Sequence, residues 1–187
     1  MDIGKVQRPA QGETVSGDTF RLIESADEVL TVALADGLGH GPPAAEASVA
    51  FCDYVEQHQD EGLKRIMEGA TRAIRATRGA TAALLRFDPE RTVLEFVGIG
   101  NIELQAVSQN PIRPVCAPGI VGRHLRKVLS FSYELATGDL IATFSDGLSS
   151  RLQLADYKRL APQDLADTLL AEHGKDHDDA TCLTFRI

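Results

Sequence analysis

The sequence has 187 residues, of which 43% are hydrophobic and 25% are charged, and its net charge is −8. We expect residues 1–187 to form one globular domain with a substantial core. The acidic balance argues against nucleic acid as the main partner, because phosphate binding needs a clustered basic face. A short basic stripe interrupts this acidic sequence: Lys64, Arg65, Arg72, Arg75 and Arg78. We interpret the stripe as the solvated face of a helix.

The cysteines and the apolar runs indicate a cellular compartment. Cys52, Cys116 and Cys182 form no Cys-x-x-Cys pair, and such a sparse, odd set is typical of buried reduced thiols. No apolar run approaches the roughly 20 residues of a membrane span. The N-terminal segment 1–13 lacks the apolar core of a signal peptide. We therefore expect a cytoplasmic monomer that binds neither membranes nor nucleic acid.

The hydrophobic pattern changes period along the chain. Strand-like runs at 18–25 and 28–35 predict a hairpin, and apolar spacings of three and four residues predict helices over 42–58, 62–77 and 162–173. The other predicted strands are 80–87, 92–99, 102–108, 112–118, 128–136, 139–145 and 180–187. Grouped helices and hairpins indicate an α+β fold with two packed sheets and helices on their outer faces, rather than an alternating parallel sheet.

Acidic residues recur at the ends of the predicted strands. They fall in four places: Asp18, Asp36-Gly37, Asp146-Gly147 and Asp178-Asp179. Asp-Gly is a common turn dipeptide and Asp often caps helices, so one such motif alone carries little weight. Together they suggest a metal site centred on Asp36, because hard divalent cations prefer several carboxylate and carbonyl oxygens. Carboxylates that converge without a cation would instead raise each other's pKa.

Three other interpretations of these segments fit less well. A dinucleotide-binding GxGxxG loop would need glycine where the chain has Pro42. A Cys-x5-Arg phosphatase loop is missed by one residue, because six residues separate Cys116 from Arg123. His173 and His177 have the spacing of a helical zinc site, but no glutamate follows His173.

Seven segments, in order, resemble the metal-dependent serine/threonine protein phosphatases (the PPM or protein phosphatase 2C family), and in particular their SpoIIE-like branch. The segments are VSGDTF, LADGLGHG, RGATAALLRF, VGIGNIEL, PGIVG, GDLIATFSDGL and DDATCLTF. Each is weak alone, but together they span residues 16–185, which is almost the whole chain. The resemblance implies a four-layer α-β-β-α sandwich, with two packed antiparallel sheets flanked by helices.

The resemblance also implies a metal site. The implied ligands of two Mn²⁺ or Mg²⁺ ions are Asp36, Gly37 through its carbonyl, Asp146 and Asp178. Asp36 would bridge both ions, and Asp36, Asp146 and Asp178 would act in catalysis through a metal-activated water. Asp18 and Asp179 would support the site from behind its ligands, with Asp18 contacting a metal-bound water.

The sequence departs from the family pattern at two points. Leu38 stands where many relatives carry a histidine, and His40 follows two residues later, either as a proton donor or as part of the loop structure. The basic residues near the N-terminus, Lys5 and Arg8, lie in no matching motif, so phosphate binding stays unassigned. Beside Asp146, we interpret Ser145 as a structural strand residue rather than as a nucleophile.

The implied activity is hydrolysis of phosphoserine or phosphothreonine on proteins. The likeness is greatest to a member that acts on the stressosome, the bacterial general-stress signalling particle. It implies phosphorylated STAS-domain proteins as partners and a negative role in stress signalling. One alternative is a phosphatase of a phosphorylated anti-anti-sigma factor. Another is a catalytically inactive domain that binds phosphoproteins, although the intact set of candidate ligands argues against it.

Overall fold

The computed structural model describes residues 1–123, 125 and 127–187. The strands are β1 (Asp2–Arg8), β2 (Asp18–Glu24), β3 (Leu30–Gly37), β4 (Ala80–Asp88), β5 (Val93–Ile99), β6 (Glu103–Val107), β7 (Phe131–Glu134), β8 (Leu140–Phe144) and β9 (Ala180–Arg186). The helices are α1 (Pro42–Gln57), α2 (Leu63–Ala73) and α3 (Pro162–His173), and a 3₁₀ helix covers Leu154–Tyr157. Among the described residues, no helix is both long and apolar enough to cross a bilayer.

The strands form two antiparallel sheets that pack face to face. The first sheet has the order β1-β9-β8-β6, and the second has the order β2-β3-β4-β5-β7. Their inner faces bury a shared apolar layer that includes Leu34, Phe96 and Phe185. Because both sheets are covered on the outside as well, their central strands β3, β4, β8 and β9 are buried almost throughout.

Two further apolar layers attach the helices to the outer faces of the sheets. Helices α1 and α2 cover the five-stranded sheet through residues such as Phe51, Ile66 and Leu84. Helix α3 covers the four-stranded sheet, where Leu165 and Leu169 meet residues such as Phe144. The layers therefore run helix, sheet, sheet, helix, which confirms the predicted α+β sandwich.

The sequence pattern missed strand β1, which pairs along its whole length with β9 from Asp2↔Arg186 to Arg8↔Ala180. Its signal is weak because β1 lies at a sheet edge, where only one of its seven residues is buried. The position of Gly4 shows how closely the strand is covered. A methyl group there would lie 2.1 Å from the carbonyl oxygen of Pro162 at the start of α3.

The predicted strand at 112–118 is wrong. This segment makes a single bridge, from Ala117 to Ile99, and is otherwise irregular. Pro114 and Pro118 lack the N–H groups that a strand ladder needs. Two other elements are shorter than predicted, since α2 ends at Ala73 rather than at 77 and β7 covers only Phe131–Glu134 of the run 128–136.

Gly100 does not join a hairpin, because β5 and β6 belong to different sheets. It adopts a φ of 95°, and a methyl group there would lie 2.5 Å from Cβ of Thr81. The glycine therefore carries the chain from one sheet into the other at a point where the backbone passes close to β4.

The side chain of Arg86, on β4, fastens the turn between α1 and α2 to the sheet. Its guanidinium donates to the carbonyl oxygens of Gln59 at 2.6 Å and Glu61 at 3.0 Å, and to the hydroxyl of Thr31 at 3.0 Å. Burial lowers the pKa of this arginine from its ordinary value, although Glu95 and Asp60 oppose the shift. The three hydrogen bonds compensate the partly desolvated charge.

Replacing Arg86 by alanine should lower the free energy of unfolding by about 2–3 kcal/mol, because three charge-assisted hydrogen bonds are lost and two carbonyls lose their partner. Urea denaturation measures this change. Arg91→Ala is the control, since Arg91 is exposed and its ion pair with Asp88 is long, at 3.9 Å. Its effect on the free energy of unfolding should stay within about 0.5 kcal/mol. Equal effects of the two substitutions would contradict the role assigned to Arg86.

Candidate functional site

The acidic strand ends of both sheets meet at one end of the sandwich. Asp18 opens β2 and stands directly opposite Asp36 in the β2–β3 ladder. In the other sheet, Asp146 lies two positions after the last residue of β8, and the pair Asp178-Asp179 directly precedes β9. Since β8 and β9 are antiparallel neighbours, the end of one and the start of the other lie at the same edge.

A buried serine joins the two sheets at this end. The hydroxyl of Ser145 donates to Oδ2 of Asp18 at 2.6 Å, and the backbone N–H of Thr181 donates to the Ser145 oxygen at 3.0 Å. Ser145 is fully buried. Its hydroxyl therefore positions a carboxylate and has no access to a substrate.

Three half-exposed carboxylates lie in front of this buried pair: Asp36, Asp146 and Asp178. The carboxyl groups of Asp36 and Asp146 are neighbours, and Asp146 helps to raise the pKa of Asp36. The amide of Asn101 donates to Oδ2 of Asp146 at 2.7 Å, and the ammonium of Lys175 donates to the backbone carbonyl of Asp146. Asp146 is thus held between a neighbouring carboxyl group and two donors.

The clustering changes the acidity of these groups. Burial, followed by the nearby Asp18, Asp146 and Asp178 carboxylates, raises the pKa of Asp36 far above its ordinary value of 3.8. Burial also raises the pKa of Asp18, against the hydrogen bond from Ser145. The pKa of Asp178 is raised mainly by burial and by Asp146. A bound cation would reverse each of these shifts.

Two buried carboxylate oxygens have no hydrogen-bond partner among the described residues: Oδ1 of Asp18 and Oδ2 of Asp179. The other oxygen of Asp179 accepts the backbone N–H of Ala10 at 2.9 Å. Buried oxygens without a donor are unfavourable unless a water or cation satisfies them. These oxygens and the raised pKa values fit a site for hard divalent cations.

The described residues do not form a complete side-chain cage for an ion. Among them, no three His, Cys, Asp or Glu side chains already form a group that could hold a metal. Oδ1 of Asp178, for example, accepts the backbone N–H of Asp179 at 3.0 Å. A metal here would therefore also draw on backbone carbonyls and on water, as such cations commonly do.

The glycine of each Asp-Gly pair is required by close backbone packing. A methyl group on Gly37 would lie 2.0 Å from the carbonyl oxygen of Ala44 in α1. A methyl group on Gly147 would lie 1.9 Å from the carbonyl oxygen of Asp179. The first turn is thereby packed against α1, and the second is packed against the backbone of Asp179.

The histidine of the loop after Gly37 pairs with Glu13, which is not among the predicted site residues. Nδ1 of His40 pairs with Oε1 of Glu13 at 2.5 Å, and the ring is largely exposed. Leu38 is half-buried, and its N–H donates to the carbonyl of Gly79. These contacts connect His40 to the loop and to Glu13, and a role of His40 as proton donor stays a prediction.

Sequence reasoning missed the two donors to Asp146, since neither stands in a pattern that points to them. Asn101 lies in the segment that crosses between sheets, and Lys175 follows α3. His173, which together with His177 has the spacing of a helical zinc site, is the last residue of α3. This ring is half-buried, and its Nε2 lies 2.8 Å from the hydroxyl of Tyr157.

Comparison with known proteins agrees with this geometry. The family model for stage II sporulation protein E (SpoIIE) matches residues 26–187. The chain is 30% identical over 141 residues to the phosphoserine phosphatase RsbX of Bacillus subtilis (strain 168), covering 74% of this chain and 70% of that protein.

Solved structures show the same fold. One match comes from work that describes the bacterial stressosome as a modular system adapted to control secondary-messenger signalling. Its TM-score is 0.91 and its identity is 30%, over 98% of this chain and 97% of that one. RsbX in complex with magnesium has a TM-score of 0.87 and 25% identity, over 96% and 92%. The PP2C phosphatase domain of Bacillus subtilis SpoIIE has a TM-score of 0.79 and 22% identity, and it supports the fold alone.

The chain belongs to the SpoIIE family of PP2C-like phosphatases. It is a protein serine/threonine phosphatase of the type represented by RsbX. The resemblance drawn from the seven sequence segments is therefore confirmed.

Replacing Asp36 by asparagine should stabilise the metal-free protein, by about 1–2 kcal/mol near neutral pH. The folded Asp36 carboxyl keeps its proton at pH values where the unfolded one, with a pKa near 3.8, has lost it. The stability of the metal-free wild type therefore falls as pH rises from about 3.8 towards the raised pKa. The asparagine variant lacks this loss, so the difference in stability between the variant and the wild type should grow as pH rises.

Urea denaturation in EDTA, compared at about pH 5.5 and about pH 8, measures that advantage. Asp27→Asn is the control, because Asp27 is exposed in the β2–β3 turn and should show no such trend. An Asp36→Asn protein that is no more stable than the wild type at the higher pH would contradict the prediction.

Proposed function

We propose that this phosphatase removes phosphate from phosphoserine and phosphothreonine on STAS-domain proteins of the bacterial stressosome, and so limits general stress signalling. Two similarities support the proposal. The relative with 30% identity, RsbX, is named a phosphoserine phosphatase. The match to the structure from work on the stressosome covers 97% of that protein's chain. The likeness covers nearly the whole fold, including the end that carries the carboxylates.

We further propose that the site binds two Mg²⁺ or Mn²⁺ ions. The proposed ligands are Asp36, Gly37 through its carbonyl, Asp146 and Asp178. Divalent ions at such a site supply Lewis acidity and lower the pKa of water, so that no side-chain nucleophile is required. The magnesium complex of RsbX supports this proposal.

The chain's own residues orient these proposed ligands. Asn101 fixes one oxygen of Asp146, so the other is free to turn towards an ion. The hydrogen bond from Ser145 holds Asp18 behind the site, and the N–H of Ala10 does the same for Asp179. Such supporting contacts restrict the directions in which the ligands can point.

The observation that carries the proposal is the two-tier arrangement of the carboxylates. The front tier, made of Asp36, Asp146 and Asp178, is accessible from solvent, whereas Asp18 and Asp179 are buried behind it. A site that only stabilises the fold has no need for three partly exposed carboxylates in one place. A site that binds cations and admits water and a phosphate group does.

Replacing Asp146 by alanine should reduce metal-dependent hydrolysis of p-nitrophenyl phosphate by more than about a hundredfold, because a proposed ligand is lost. The wild type should need Mg²⁺ or Mn²⁺ and lose its activity in EDTA. Asp156→Ala is the control, since Asp156 is an exposed aspartate of the 3₁₀ helix. If Asp146→Ala retained activity, the proposed ligand set would be wrong.

The substrate proposal has its own test. The metal-loaded enzyme is incubated separately with a phosphorylated STAS-domain stressosome scaffold protein and with a phosphorylated anti-anti-sigma factor, and release of inorganic phosphate is followed. Faster release from the scaffold supports the proposed role. Faster release from the anti-anti-sigma factor would assign the enzyme to that substrate instead.

A further inference from the structure

A cluster of positive charge lies beside the C-terminal part of α2 on this otherwise acidic protein. It surrounds a cavity of about 290 Å³ that is lined by residues of α2 and of the segment between β6 and β7. Four of its lining residues are basic, and we refer to them as the basic patch: Arg72, Arg75, Arg123 and Lys127. Among the described residues that line the cavity, one is acidic, Glu68. The patch contrasts with a net charge of −8 for the whole sequence.

Among the described residues, no acidic side chain forms an ion pair with the basic patch. All four of its side chains are exposed, and none takes part in the ion pairs that the described residues form. A solvated helix face normally mixes both signs of charge, often in pairs three or four residues apart. Four unpaired cations around one concave surface instead create a positive potential that attracts an anionic partner.

One member of the patch is anchored by the backbone. The guanidinium of Arg123 donates to the carbonyls of Arg75 and Gly122, both at 3.3 Å, and to the carbonyl of Arg78 at 3.2 Å. Backbone carbonyls hold the arginine in place without cancelling its charge. This anchoring lowers the entropy lost when a ligand binds.

The patch is connected to the carboxylate site through Arg78. A methyl group on Gly39, in the loop that follows Asp36, would lie 2.9 Å from Nη1 of Arg78, so this guanidinium lies directly against the loop. The N–H of Leu38 also donates to the carbonyl of Gly79 at 3.0 Å. Positive charge therefore extends from the cavity to the loop that carries the central aspartate.

We propose that the basic patch binds acidic residues that flank the phosphoserine or phosphothreonine of the protein substrate. The inference rests on the proposed function for the nature of that substrate. A segment whose phosphorylated residue enters the carboxylate site would pass Arg78 and reach the patch. Nucleic acid fits less well, because the strongly acidic remainder of the protein would repel a long polyanion. The ligand class is thus a phosphopeptide segment rich in Asp and Glu.

The test compares three substrates at low ionic strength: p-nitrophenyl phosphate and two phosphoserine peptides of equal length. One peptide carries glutamates on both sides of the phosphoserine, and the other carries glutamines in their place. The wild type should hydrolyse the acidic peptide with a kcat/KM on the order of tenfold higher, and added salt should reduce this preference.

The variant Arg72→Glu/Arg75→Glu should lose that preference while keeping wild-type activity on p-nitrophenyl phosphate and on the neutral peptide. Lys64→Glu/Arg65→Glu is the matched control, because it makes the same change in charge at the start of α2 and neither residue lines the cavity, whereas Arg72 lies in the last turn of α2 and Arg75 just after it. A milder double variant, Arg72→Gln/Lys127→Gln, should show a smaller loss of the preference for the acidic peptide. It keeps the proposal testable if Arg72→Glu/Arg75→Glu does not fold.

The proposal is overturned if the wild type treats both peptides alike, or if the matched control loses the preference as fully as the patch variant. In the latter case the preference would reflect the overall charge of the protein. Loss of metal-dependent activity on p-nitrophenyl phosphate in every protein, including the wild type, would instead count against the proposed function. The two failures can therefore be told apart.

Discussion

The buried hydrogen bond from Ser145 to Asp18 ties the two sheets together at the end where the acidic residues collect. One partner follows β8 of the four-stranded sheet, and the other opens β2 of the five-stranded sheet. Because Asp18 stands opposite Asp36 in its ladder, fixing Asp18 also fixes where the central aspartate lies relative to Asp146. The position of the site thus depends on how the sheets pack and not on any single loop.

The clustering of carboxylates lowers the stability of the fold at the place where the function is proposed. Apolar layers on both faces of each sheet hold like charges together at one end, where burial and mutual repulsion disfavour the ionised forms. A protein selected for stability alone would replace such carboxylates. Their retention, with two buried oxygens left without a donor, is the pattern expected where a binding site is kept at the expense of stability.

The sequence predicted the features that depend on local patterns. Apolar runs that end in Asp36 and Asp146 identified the strand ends, and alternation identified most strands. It missed strand β1, whose exposed edge position leaves little apolar signal, and it wrongly made a strand of 112–118, where prolines interrupt the ladder. The donors Asn101 and Lys175 could not be predicted, because their roles depend on how separate segments cross between the sheets.

The pairing of β1 with β9 has a consequence for synthesis of the protein on the ribosome. Asp2 is registered against Arg186, so the hydrogen bonds of β1 are completed only when the distant strand β9 has been made. The chain also passes from one sheet to the other between β5 and β6, and again on either side of β7. Contacts between such distant segments slow folding. The four-stranded sheet therefore closes only after translation has passed β9, and until then strand β8 presents an open edge at which unwanted strand pairing can occur.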